Sequence, residues 1–113
     1  MKSSIHNEYG RLISVLLKRP AEAFQNKEMI GKQWKDLNYL DRPDLERSVQ
    51  EFDQFEQLIS RVQPELLYLD QNETTGLDSI YTRDAAIATN RGMILCNMGK
   101  IARRGEPHVQ KQM

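Results

Sequence analysis

The ionisable side chains that could do chemistry in this sequence gather in two short stretches. Asp78-Ser79-Ile80-Tyr81-Thr82-Arg83-Asp84 sets two carboxylates and a guanidinium close together, and Arg103-Arg104-Gly105-Glu106 adds two more arginines and an acid. Asp84 falls where a polar loop meets an apolar hairpin, and strand ends of that kind often line clefts. The residues alone leave two readings open. Each charge is ordinary surface, solvated or paired with a neighbour such as Arg83 with Asp84, or the group lines a site.

Other candidates for chemistry are weaker. Cys96 is the only cysteine, so no internal disulfide is possible, and no cluster of cysteines and histidines offers a structural zinc site. Its place in an apolar run predicts an ordinary buried small residue. His6 belongs to an N-terminal tail, and His108 to the first turn of a final helix, on its solvent side. Gly92, Gly99 and Gly105 follow neither the dinucleotide fingerprint nor the P-loop. Met29, Met93, Met98 and Met113 are too scattered for a methionine-rich groove. Phe24, Trp34 and Tyr39 are expected to anchor a loop into the core. The residues imply no metal and no cofactor.

The elements that must position these residues can be read from periodicity. Leu12-Ile13-Ser14-Val15-Leu16-Leu17 is short and almost continuously apolar, as in a buried strand, and Pro20 ends it. Residues 20–42 show no clean period and read as a long irregular loop carrying at most a turn of helix. From Pro43 to Val62, apolar residues at Leu45, Val49, Phe52, Phe55, Leu58, Ile59 and Val62 describe one face of a helix, expected to pack on the core. Pro43 and Asp44 suit its first turn and Pro64 stops it.

Leu66-Leu67-Tyr68-Leu69 reads as a second buried strand, followed by the polar loop Asp70 to Gly76. Ile80-Tyr81 is expected as strand. Residues 85–97 then form a hairpin turning at Asn90-Arg91-Gly92 and containing Cys96 in its returning strand. Glu106-Pro107 opens a last helix that shows no stop signal before Met113, so the sequence reads as cut rather than finished. Strand, helix, strand, hairpin and helix in this order predict mixed α/β layers.

Composition bounds what such a domain can do. The 113 residues fit one domain. Sixteen basic residues balance sixteen acidic ones, which argues against nucleic acid and against a polybasic membrane anchor. At 39% hydrophobic the chain can build one core but not a rich one, so a partner or further chain is expected to share in the burial. The first residues lack the apolar stretch of a secretory signal, and no run approaches the length of a bilayer span. A cytoplasmic protein is the expectation.

Asp78-x-x-x-x-Arg83-Asp84, the hairpin, and then Met98-Gly99-x-x-Ala102-Arg103-Arg104-Gly105-Glu106 resemble the N-terminal part of the guanidino-group-modifying enzymes. These include dimethylarginine dimethylaminohydrolase, arginine deiminase and the amidinotransferases. The opening strand with Leu17-Lys18-Arg19-Pro20 is similar to that superfamily's first strand and its Arg-Pro turn. The resemblance runs through most of the chain in order, is strongest from Asp78 to Glu106, and is weak over residues 21–42.

The resemblance implies a partial five-bladed α/β propeller, of which this chain supplies about the first two modules in a single incomplete domain. By matching position, Asp84 grips the guanidinium of an arginine-like small molecule, Arg103 receives its α-carboxylate, Asp78 lies near its α-amino group, and the loop after Leu17 walls the pocket. A fixed carboxylate is a good partner for a planar cation because it accepts paired N–H bonds. Arg83 and Arg104 are given no firm part beyond supporting the loop. In the family a cysteine thiolate attacks the guanidinium carbon to give a thiouronium intermediate, and a histidine oriented by an acid moves protons. Those residues lie in later modules, and Cys96 does not match the nucleophile, so no catalytic residue is expected in this chain. The reaction implied is C–N hydrolysis, as in the dimethylargininase branch, or amidino transfer. The alternative is a non-catalytic α/β module that forms a homo-oligomer through open propeller edges, or is covered by the remainder of the same polypeptide.

Overall fold

A computed structural model describes residues 10–89 and 91–112; the expected tail carrying His6, the turn residue Asn90 and the terminal Met113 lie outside them. Strand β1 (Ser14–Leu17) is followed by helices α1 (Pro20–Ala23), α2 (Lys27–Gln33) and α3 (Leu45–Ser60), then by strand β2 (Glu65–Tyr68). β1 and β2 pair in parallel, Ser14 opposite Glu65 and Leu17 opposite Tyr68, so the three helices make the crossover that a parallel pair requires. Two short 3₁₀ turns, Leu77–Ile80 and Thr82–Ala85, lead into the hairpin of β3 (Ala86–Thr89) and β4 (Gly92–Leu95). Gly92 closes that hairpin at a φ of 135°, a backbone region open to glycine and strained for other residues. A 3₁₀ turn at Ile101–Arg103 and helix α4 (Glu106–Lys111) complete the described chain. No described helix is long and apolar enough to cross a membrane.

The core sits where the sequence pattern is least regular. Ala23, Phe24, Ile30, Leu37 and Leu77 form one buried cluster, with Trp34, Tyr39, Leu45 and Ile80 packed against it. The expected loop over residues 20–42 is therefore corrected: it holds two helices and supplies four of the five residues of that cluster. Pro20 at the first turn of α1 loses no helical hydrogen bond, and the Asn26 side chain caps α2 by accepting the Met29 amide at 2.8 Å. Phe24, Trp34 and Tyr39 do anchor this segment in the core.

α3 forms over the expected residues, capped by Asp44, whose side chain accepts the Arg47 amide at 3.1 Å. Its expected role as core is corrected in part: Leu45 packs against the core cluster, but none of its residues is fully buried and Phe55, Leu58 and the following Val62 are exposed. Polar contacts join it to the β1–β2 pair. Tyr68 donates to Glu56 at 2.7 Å, while the Arg19 guanidinium lies 4.0 Å from the Tyr68 ring centroid and 3.6 Å from Glu56. Two smaller corrections concern the second half. Ile80 ends the first 3₁₀ turn and Tyr81 links it to the second, so neither is strand, and Cys96 lies just past β4, half-buried, its amide donating to the Ala85 carbonyl.

Candidate functional site

The two 3₁₀ turns and the start of α4 bring both ionisable stretches together around one side chain. Arg103 is only 12% exposed, and its planar fork is almost fully used. Nε and Nη2 donate in parallel to the two oxygens of Glu106 at 2.9 and 2.8 Å. Nη1 donates to Asp84 Oδ2 at 3.1 Å, and Nη2 also donates to the Asp78 carbonyl at 3.2 Å. The guanidinium carbon stands 5.9 Å from the Tyr81 ring centroid. A bidentate Arg–carboxylate pair is the strongest form of this interaction, and here it is mostly out of water. The hydrogen bonds to Glu106 hold Arg103 charged and raise its pKa further above the ordinary arginine range, outweighing the opposing effect of burial.

Local sequence explains the convergence. Arg103 and Glu106 are three residues apart where the chain turns into α4, so both face the same side. Gly105 permits the turn, because a Cβ there would collide with the Thr74 carbonyl. Gln110 of α4 donates to the Thr82 carbonyl at 2.8 Å, and Thr82 donates to the Leu16 carbonyl at 3.1 Å. The second 3₁₀ turn is thus fixed between α4 and the end of β1.

Asp78 is buried, and its carboxylate accepts Lys100 Nζ at 3.0 Å, while the same ammonium donates to the Leu37 carbonyl at 2.8 Å. Asp84 is 36% exposed; besides Arg103 it faces the exposed Arg83 at 3.5 Å. Leu17 ends β1, half-buried, with its carbonyl accepting the Leu69 amide at 2.9 Å. The structure therefore brings Asp78, Asp84 and Arg103 into one network and sets the Leu16–Leu17 end of β1 beside it through Thr82. Arg104 leaves the network and lines a separate cavity.

The sequence places Glu106 and Lys18 in motifs without a site role, gives Tyr39 only the part of a core anchor and gives Lys100 none, yet Lys100, Glu106 and Tyr39 adjoin this network and Lys18 lies in the field of Glu106. The spacing of Arg103 and Glu106 was the available signal for Glu106; Lys100 sits at the start of the turn that carries Arg103, but its pairing with Asp78 is made only by tertiary folding. The Tyr39 hydroxyl is buried with no hydrogen-bond partner among the described residues, and burial, with the charge of Asp78 beside it, raises its pKa above the tyrosine range. Lys18, directly after Leu17, is buried, and among the described residues its ammonium donates only to Thr75 Oγ1, at 3.3 Å.

Chemically the network is three carboxylates, Asp78, Asp84 and Glu106, around the cations Arg103 and Lys100, with Asp84 open to solvent on one side. No histidine or cysteine side chain hydrogen-bonds to it among the described residues, and those residues hold no group of side chains arranged to bind a metal. No protein-family profile, no curated protein and no solved structure matches the chain. What the site does is therefore argued from its own geometry and from the sequence resemblance.

Proposed function

We propose that this chain holds a guanidinium-bearing amino acid, arginine or a methylated arginine, as the N-terminal part of a guanidino-group-modifying enzyme with a propeller fold. Asp84 grips the guanidinium, Asp78 attracts the α-amino group, Arg103 meets the α-carboxylate and Leu17 walls the pocket. The cysteine nucleophile and the proton-handling histidine belong to later modules, where the bound guanidinium is hydrolysed or its amidino group transferred. The protein works in a reducing, cytoplasmic compartment, with Cys96 as a free thiol.

The observation that carries this reading is that Asp84 already binds a guanidinium, that of Arg103, at 3.1 Å, while part of its carboxylate stays open. Asp78 likewise already accepts a primary ammonium, that of Lys100, at 3.0 Å. Arg103 retains one Nη1 N–H beyond its bonds to Glu106, Asp84 and the Asp78 carbonyl, a donor suited to an incoming carboxylate. Calorimetric titration with L-arginine tests the reading. Saturable heat that weakens at least about tenfold in Asp84→Asn, equivalent to about 1.4 kcal/mol, supports it. No arginine heat, or equal affinity in the variant, rejects it.

A second reading, an assembly module, is favoured by the exposed apolar surface. Ile87 and Ile94 are direct cross-strand partners, each more than half exposed, and α3 leaves Phe55 and Leu58 uncovered. A mass that rises with concentration in light scattering, without arginine heat, would select this reading over the first.

A further inference from the structure

A cavity of about 570 Å³ opens between the end of β4 and the start of α4. Its apolar lining residues are Leu95, Met98 and Pro107, and its polar ones are Cys96, Asn97, Arg104 and His108. No aspartate or glutamate lines it. Among the described residues Arg104 forms no side-chain ion pair, in contrast to its neighbour Arg103. A guanidinium left without a carboxylate, beside an amide and an imidazole, is a donor set that matches an oxyanion. The volume lies within the usual span of small-molecule sites, roughly 300–1,000 Å³.

We infer that this cavity binds a small organic anion, a carboxylate or a phosphate monoester, whose oxygens meet the Arg104 fork and whose apolar part rests on Leu95, Met98 and Pro107. Asn97 and His108 supply further N–H donors. The site is independent of the guanidinium reading: its ligand meets Arg104 and not Asp84, and its charge is opposite to that of the group Asp84 would hold.

Cys96 gives a direct readout because it is the only cysteine and lines the same cavity. Its alkylation by iodoacetamide is followed by intact mass, with butyrate, butyl phosphate and neutral butanol as probes, each against sodium chloride at matched ionic strength. At a probe concentration of twice its Kd, occupancy slows alkylation about threefold. Slowing by butyrate alone identifies a carboxylate site, slowing by butyl phosphate alone a phosphate site, and either supports the proposal. Butanol should leave the rate unchanged. Arg104→Gln should abolish the slowing and Arg104→Lys should retain only part of it, since the charge survives but the fork does not. Asp84→Asn should leave the slowing intact, which separates this outcome from that of the arginine titration. An unchanged rate with both anions, equal slowing by butanol, or slowing that persists in Arg104→Gln overturns the proposal.

Discussion

Lys18 and Arg103 are both cations withdrawn from water within the field of Glu106, and the chain treats them in opposite ways. Arg103 has a planar fork held by two oxygens of Glu106, one of Asp84 and a main-chain carbonyl, and its pKa is raised. Lys18 is 2% exposed and donates to a single hydroxyl, and burial lowers its pKa although Glu106, Glu22 and Asp70 act to raise it. Nearby negative charge alone therefore does not hold a buried cation. Arg103 is secured because its donors meet oxygens at bonding distance in the directions they point, whereas Lys18 feels its acids only from a distance.

The most severe way to break this contrast is Arg103→Ala. It leaves Glu106 buried with its bidentate counter-charge gone, while Asp78 keeps Lys100, and denaturant unfolding should show a loss of about 3–5 kcal/mol. A loss under about 1 kcal/mol would mean the network is ordinary surface pairing. Gly105→Ala comes next. It forces the start of α4 away from the Thr74 carbonyl and so moves Glu106 relative to both cations, with an expected loss of about 2 kcal/mol in the same experiment.

Lys18→Met should act in the opposite direction, stabilising the chain by about 1 kcal/mol at neutral pH because it removes a buried and poorly paired charge. The lowered pKa fixes the sign of the pH dependence. As pH rises toward the ordinary lysine value of 10.5, the folded chain gives up the Lys18 proton before the unfolded chain does. Wild-type stability therefore rises through that window, and the advantage of Lys18→Met narrows. Thermal unfolding at a series of alkaline pH values checks this, and an advantage that widens would contradict it. The smallest effect belongs to Arg104→Gln, which breaks no internal pair and should change stability by no more than about 0.5 kcal/mol. Adjacent arginines would then differ sharply in what their removal costs.

The same physics explains what could be read from the sequence. α3 was evident from its period, yet period reports only that one face is apolar, not that anything covers it, and Phe55, Leu58 and Val62 remain exposed. Residues 20–42 looked irregular because α1 and α2 are too short to display a full period, although Phe24, Ile30 and Leu37 form the core. β1, β2 and the hairpin were legible from short apolar runs bounded by proline, polar residues and glycine. The turns at Leu77–Ile80 and Thr82–Ala85 were not, because Ile80 and Tyr81 have strand-forming side chains whose conformation is set by tertiary contacts such as Gln33 accepting the Leu77 amide at 3.0 Å. Within the candidate site, the carboxylates and Arg103 were visible as charges in motifs. Their mutual pairing, and the pairing of Lys100 with Asp78, exist only in the folded chain.

The most direct test of the substrate-holding account is the side-chain NMR signal of Arg103 Nε–Hε during titration with L-arginine, with L-lysine and urea as controls. If Asp84 and Arg103 grip an arginine-like molecule together, the signal shifts saturably with L-arginine, stays still with both controls, and no longer responds in Asp84→Asn. If it remains unmoved by L-arginine, or moves equally with L-lysine, the network is a structural ion cluster and the substrate-holding account is wrong.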